Sequence, residues 1–361
     1  MSRNRVVVRK STRSIKSFFV MEIELFTTMP ESIKSDRVQF IRELKRIAIQ
    51  SEKYGYRGTL IYSDNRLADP WAVTDLILNE TTHLIPMVAL QPVYMHPYTV
   101  AKKISSIAFI HNRKIALNLV AGGYINDLKA LGGPVDHDRR YDRLVEYTEI
   151  IQKLLTTTEG VTYEGEFYQI KNLKLKPDMP EDLLPDYYLS GSSDAAKEAS
   201  ARLGVQLIQY PEPIEELAKN GTNGDALVEG IRIGVLARHN HDEAWKEAHE
   251  RFPATRMGEI SHQFAKKTSD SEWHKKLSNQ NGNGKQHNSE PVYWLGPFEH
   301  YHTFCPYLVG SYDEVANAIS KYLDTGCKTC IIDTPVSEIE LHSTMLVFNR
   351  AQNHLEKQEQ L

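Results

Sequence analysis

Asn118 lies in KIALNLVAG, an apolar run that closes on Ala-Gly-Gly. An amide inside a buried strand must find a hydrogen-bond partner or cost about 1–3 kcal/mol. It is either a structural asparagine satisfied by backbone or a group aimed at a ligand. Farther along, Gly191, Ser192 and Ser193 precede an acidic residue and a helical segment. Backbone N–H groups and two hydroxyls at a helix N-terminus suit an anion, phosphate above all. An ordinary serine N-cap has the same sequence. Arg140 and Tyr141, where a long helical segment opens, offer further phosphate donors. Arg232 and Arg238 place guanidinium groups in an otherwise apolar segment. His300, Tyr301 and His302 form a polar, aromatic cluster suited equally to general acid–base work and to a plain surface.

Other groups read as packing or caps. Cys327 and Cys330 form a CxxC, but no second pair supplies the ligands zinc needs. They read as small apolar residues where a helix ends and a strand begins. No His, Asp and Glu set has metal-ligand spacing, so no metal site is expected. Nor is there a GxSxG nucleophile motif. His96 precedes Pro97 and reads either as a helix cap or as a pocket residue. Trp71 and Trp294 read as core.

These groups must be positioned by a large α/β framework. The hydrophobic pattern predicts strands over 21–28, 58–63, 85–91, 114–122, 187–190, 205–210, 229–238 and 329–333. Helices are predicted over 32–54, from Asp69-Pro70, and over 97–110, 138–157, 193–203, 213–226, 242–252, 311–325 and 337–355. A small hairpin is expected over 162–170. Eight strands alternating with helices predict a (β/α)8 TIM barrel, with function at the carboxyl ends of the strands. Those ends carry Thr28, Tyr62, Gln91, Gly122, Ser190, Tyr210 and Asp333. An open dinucleotide-binding sheet is disfavoured, because no glycine fingerprint follows an early strand.

The 361 residues are 41% hydrophobic and 25% charged, with net charge -4. That balance argues against nucleic acid as the main partner. No apolar run approaches the ~20 residues that span a bilayer. Three cysteines fit a reducing cytoplasm. Residues 1–20 are basic and read as a poorly ordered tail, and 21–361 as one barrel domain. Residues 253–306 break the rhythm with an Asn/Gly-rich run and an aromatic one. An insertion of this length after the seventh strand is expected to be a mobile lid.

Six stretches carry a resemblance in combination and order: GYRGTLIYSDNRLADPW, PMVALQPVYMHPYTVAKKISSIAFIHNRKIALNLVAGG, DHDRRYDRLVEYTEIIQKLL, SGSSDAAKEASARLGVQLIQYPEP, GIRIGVLARHNHDEAW and YLVGSYDEVANAI. Over residues 21–353 the chain resembles the bacterial luciferase-like flavin monooxygenases, and within them the alkanesulfonate monooxygenases. The resemblance implies a two-component enzyme using reduced FMN delivered by a separate NAD(P)H:flavin reductase. O2 would be activated as a flavin peroxide that oxygenates a small organic substrate. It implies a flavin ring near Ala89, Leu90 and Asn118, with a non-proline cis peptide at Ala89-Leu90. It implies a phosphate held by Tyr141, Gly191, Ser192 and Ser193 with His137 close by. Arg232, His300 and His302 are the implied catalytic candidates, and a homodimer or homotetramer the implied assembly. A flavin-binding relative without catalysis, or a deazaflavin-dependent oxidoreductase on the same barrel, are the alternatives.

The substrate side departs from the alkanesulfonate pattern. An Arg-x-His pair reads Arg232-Ile233-Gly234, which is expected to open space. The position of the alkanesulfonate enzymes' cysteine falls near Leu67 and that of their tyrosine near Thr334-Pro335, and this chain has neither residue there. Its lid arginine has no counterpart here.

Overall fold

The apolar runs become strands covered on both faces, as a parallel sheet flanked by helices requires. The computed structural model describes residues 23–123, 125–132, 136–216, 228–268 and 291–358. The first elements are β1 (Glu24–Thr28), α1 (Arg37–Lys53), β2 (Gly58–Ile61), α2 (Pro70–Glu80), β3 (Ile85–Leu90), α3 (Pro97–His111) and β4 (Ala116–Leu119). Next come α4 (Ile125–Ala130), α5 (His137–Thr156), the hairpin β5 (Val161–Glu164) and β6 (Gln169–Leu173), β7 (Asp186–Ser190), α6 (Asp194–Leu203) and β8 (Gln206–Gln209). The chain continues through β9 (Gly230–Arg238), α7 (His241–Arg251), α8 (Arg256–Thr268), β10 (Tyr293–Trp294) and α9 (Gly296–Glu299). It finishes with β11 (Tyr307–Ser311), α10 (Tyr312–Asp324), β12 (Thr329–Ile332) and α11 (Glu338–Gln358).

The strands β1, β2, β3, β4, β7, β8, β9 and β12 pair in parallel in that order, and β12 returns to β1. This is the expected closed eight-stranded barrel. Phe26, Leu60, Met87, Ala89, Ala116, Tyr188, Ile208 and Ile331 fill its interior. Val88, Leu90, Leu117 and Leu119 face the helical layer instead. The amino end is closed by an ionic plug: Arg57 lies 3.0 Å from Glu24 and 2.7 Å from Asp186, and Lys114 lies 2.7 Å from Asp186. The carboxyl end is left for chemistry.

Local signals in the sequence are realised as caps. Asp69 accepts from the Trp71 and Ala72 N–H groups, with Pro70 opening α2. His96 caps α3 through its ring nitrogen, 3.2 Å from the Tyr98 N–H. Trp71 and Trp294 pack in apolar clusters. Cys327 and Cys330 are buried free thiols 3.8 Å apart, and no metal-binding group occurs among the described residues.

Two expectations change, and two others fall partly outside the described residues. β11 is a further strand, parallel to the second half of β9 from Gly234 to Arg238 and edged by antiparallel β10. Its five residues, YLVGS, run straight into the Ser311 cap of α10, so the pattern shows a helix start more clearly than a strand. The insertion at 253–306 is partly helical, and its residues 269–290 lie outside the described part, as do tail residues 1–20. Residues 217–227, most of the helix expected at 213–226, also lie outside it. The cis peptide expected at Ala89-Leu90 is trans; the cis bond among the described residues is Lys176-Pro177.

Candidate active site

A cavity of about 450 Å³ opens at the carboxyl ends of the strands. Ala89, Asn118, His137, Tyr141, Gly191, Ser192, Ser193, Arg232 and His302 all line it. Residues as far apart in the chain as Ala89 and His302 are thus brought together by closure of the barrel and by the helices and insertion at its carboxyl end.

One wall is a cradle at the start of α6. Ser193 caps the helix, its hydroxyl accepting from the Ala196 N–H at 3.2 Å. The plain N-cap reading therefore holds for Ser193. Ser192 differs: its hydroxyl is buried and has no hydrogen-bond partner. Such an orphan is uncommon and asks for an acceptor or donor from elsewhere. Gly191 is needed for close approach, since a Cβ there would come within 2.9 Å of the Tyr141 hydroxyl and 2.6 Å of the Ala196 methyl. His137 meets the Tyr141 ring edge-on at 5.4 Å, and its Nδ1 lies 2.7 Å from the Asp138 carboxylate.

The floor is formed by Ala89 and Asn118, register partners on β3 and β4. The Asn118 carbonyl oxygen accepts from the Ser190 hydroxyl at 2.8 Å. That bond orients the amide and leaves its nitrogen as a donor with no partner among the described residues. Leu90, expected beside them, turns its side chain into the helical layer because strand neighbours alternate between faces.

The opposite wall is built on Arg232. Its terminal nitrogens donate to the hydroxyls of Tyr210, at 3.2 Å, and Tyr62. The guanidinium also lies over both rings, 4.9 Å from the Tyr62 centroid and 5.8 Å from that of Tyr210. Burial opposes its charge, but Tyr210, Tyr62, Cys305 and Asp333 more than offset this and hold the guanidinium protonated. Burial pushes the Tyr62 pKa well above the usual phenol range, and that of Tyr210 up to about 12, against the pull of Arg232. Asp333 Oδ1 sits 4.0 Å from Arg232, while Oδ2 accepts from Thr303 at 2.6 Å and Tyr307 at 2.8 Å.

Gly234 does not open space. A Cβ there would meet the Tyr307 ring at 2.2 Å, so that ring occupies the face expected to be vacant. Tyr307 comes from β11, the strand the hydrophobic pattern does not reveal. Tyr62, Tyr210 and Asp333 stand at predicted strand ends, but their convergence on Arg232 has no signature in spacing.

The insertion contributes Tyr301, His302 and Phe304 to the cavity wall. The two histidines expected there for acid–base work are placed differently. His302 Nε2 donates to the Pro253 carbonyl at 2.9 Å. His300 is not among the lining residues, and its Nδ1 is buried without a partner.

The sequence pattern of luciferase-like monooxygenases matches residues 21–329. The chain belongs to the luciferase-like monooxygenase family. It is accordingly a flavin-dependent monooxygenase by class. A relative from Niallia circulans, a 4-(gamma-L-glutamylamino)butanoyl-[BtrI acyl-carrier protein] monooxygenase, is 33% identical over 83% of this chain and 88% of its own length. The EDTA monooxygenase of Chelativorans sp. BNC1 shares the fold with a TM-score of 0.70 at 15% identity, covering 92% of this chain and 94% of that one. An F420-dependent secondary alcohol dehydrogenase shares it with a TM-score of 0.62 at 15% identity, covering 92% of this chain and 98% of that one. The luciferase-like barrel thus hosts more than one flavin type, and the site itself must decide between them. Among the described residues no helix is long and apolar enough to cross a membrane.

Proposed function

We propose that this luciferase-like enzyme is the oxygenase half of a two-component system. It takes reduced FMN from a separate NAD(P)H:flavin reductase, in the cytoplasm, and uses O2 to oxygenate a small organic substrate. A homodimer or homotetramer is the assembly expected. The observation that carries this reading is the buried, unpartnered Ser192 hydroxyl beside Gly191 and Tyr141 at the start of α6. A terminal phosphate supplies what that cradle lacks, and the helix N-terminus favours its charge.

Ser192, the backbone at Gly191 and Ser193, and Tyr141 would hold the phosphate. The Asn118 amide nitrogen would donate to the polar edge of the ring system, with Ala89 giving it a small-residue floor. When bound, reduced flavin supplies the electrons that activate O2; that chemistry is the cofactor's own. The protein excludes water with the Tyr301, His302 and Phe304 wall and holds the substrate against Arg232 and Tyr62. The acyl group handled by the Niallia circulans relative, with its amide linkage, belongs among the substrates to be tried.

The test is an anaerobic titration with reduced FMN and with reduced deazaflavin. Reduced FMN should bind, and replacing both Ser192 and Ser193 by Ala should weaken it more than tenfold, about 1.4 kcal/mol or more. Unchanged affinity removes the phosphate assignment. Preference for the deazaflavin moves the enzyme to the other cofactor class. Tight flavin binding with no product from any substrate indicates a non-catalytic relative.

A further inference from the structure

The cations lining the cavity are already matched by carboxylates. Lys34 Nζ is 2.9 Å from Glu31, Arg66 Nε is 2.8 Å from Asp64, and Arg232 is 4.0 Å from Asp333. Asp127 lines the same cavity and forms no close ion pair among the described residues, its charge acting on Arg66 from a distance. Asp333 is not free to leave Arg232. Two hydroxyls hold its far oxygen, at 2.6 Å from Thr303 and 2.8 Å from Tyr307. Tyr307 is itself wedged against Gly234. The deep wall is therefore a charge-balanced pair.

Tyr62 completes the picture. Its hydroxyl oxygen accepts from Arg232, so its own hydrogen remains to be donated. No described residue accepts it. The wall thus presents a neutral donor, polarised by a cation whose charge is already compensated.

We infer, resting on the flavin reading above, that the substrate group held at Arg232 is an uncharged hydrogen-bond acceptor, a carbonyl or carboxamide oxygen bonded by Tyr62. A sulfonate or carboxylate there would be buried beside an arginine already neutralised by Asp333. A neutral oxygen meets one outstanding requirement of the wall, an acceptor for Tyr62; the buried Arg232 Nε–H also lacks an acceptor. A site built this way rejects ligands that leave its donor unpaired.

Calorimetric titration of the full chain with hexanamide, hexanoate and hexanesulfonate tests this, with and without reduced FMN. Hexanamide should bind at least tenfold more tightly than either anion. Tyr62→Phe should abolish most of that preference, and Asp333→Asn should shift it toward hexanoate. Equal or tighter binding of an anion overturns the inference, as does failure of hexanamide to bind or a preference unchanged in Tyr62→Phe. Should Asp333→Asn not fold, the wild-type series and Tyr62→Phe still decide. The two readings fail separately: lost FMN binding with the preference intact removes the flavin assignment, and FMN binding without the preference removes this one.

Discussion

Gly234 and Tyr307 show how much one residue depends on another far away in the chain. The glycine is buried on β9, and the phenol ring from β11 lies where its side chain would project. The ring is fully buried, and its hydroxyl helps hold Asp333 beside Arg232. Adding a methyl group must displace this ring. Gly234→Ala should therefore lower stability by about 1–3 kcal/mol, the usual cost of overpacking, read as a fall in Tm. An unchanged Tm would mean that the ring moves freely. The cradle at Gly191, Ser192 and Ser193 was legible because its parts are contiguous and end in a helix start. The Arg232 wall was only partly legible, since Tyr62, Tyr210 and Asp333 were marked as strand ends without their partners. His300 misled because a polar aromatic cluster has the same composition whether it faces a cavity or packs its ring nitrogen away from one.

Elements are held in place by single side chains acting on neighbouring backbone. Glu52, near the end of α1, accepts from the N–H groups of Thr82, His83 and Leu84, at the turn that leads into β3. Burial alone would raise its pKa, but these bonds lower it below 4.5. Its stabilisation is therefore present above the ordinary carboxylate range and lost as pH falls through the lowered folded value. Glu52→Gln should lower Tm at pH 7, and its gap from the native protein should narrow below about pH 4. A gap that stays constant across that range would assign the effect to packing. The Asp69-Pro70 cap could be read ahead of the structure, because it acts over three residues or fewer. β11 could not, because five residues whose pairing partner lies on distant β9 carry no local signature of that pairing.

At the scale of the molecule, the barrel is unevenly sealed. The seam between β8 and β9 has only two register pairs, Ile208 with Gly230 and Gln209 with Ile231. β1 and β2 share three, at the buried centre of the sheet. Beyond the seam, β9 turns its second half to β11, so the insertion is tied to the barrel where β8 stops. Amides of Gln206–Gln209 should lose hydrogen-exchange protection before those of Gly58–Ile61. Simultaneous loss would show that the barrel opens as one cooperative unit.

By itself the sequence determined the barrel, the family, the helix caps and the serine loop that opens α6. Each depends on hydrophobic period or on neighbours within a few residues, which a linear string preserves. Only the tertiary structure decided what faces Gly234, that Asp333 neutralises Arg232, and that Tyr62 is left with a hydrogen to donate. Those contacts join residues from different strands, and closure of a parallel barrel sets their distances.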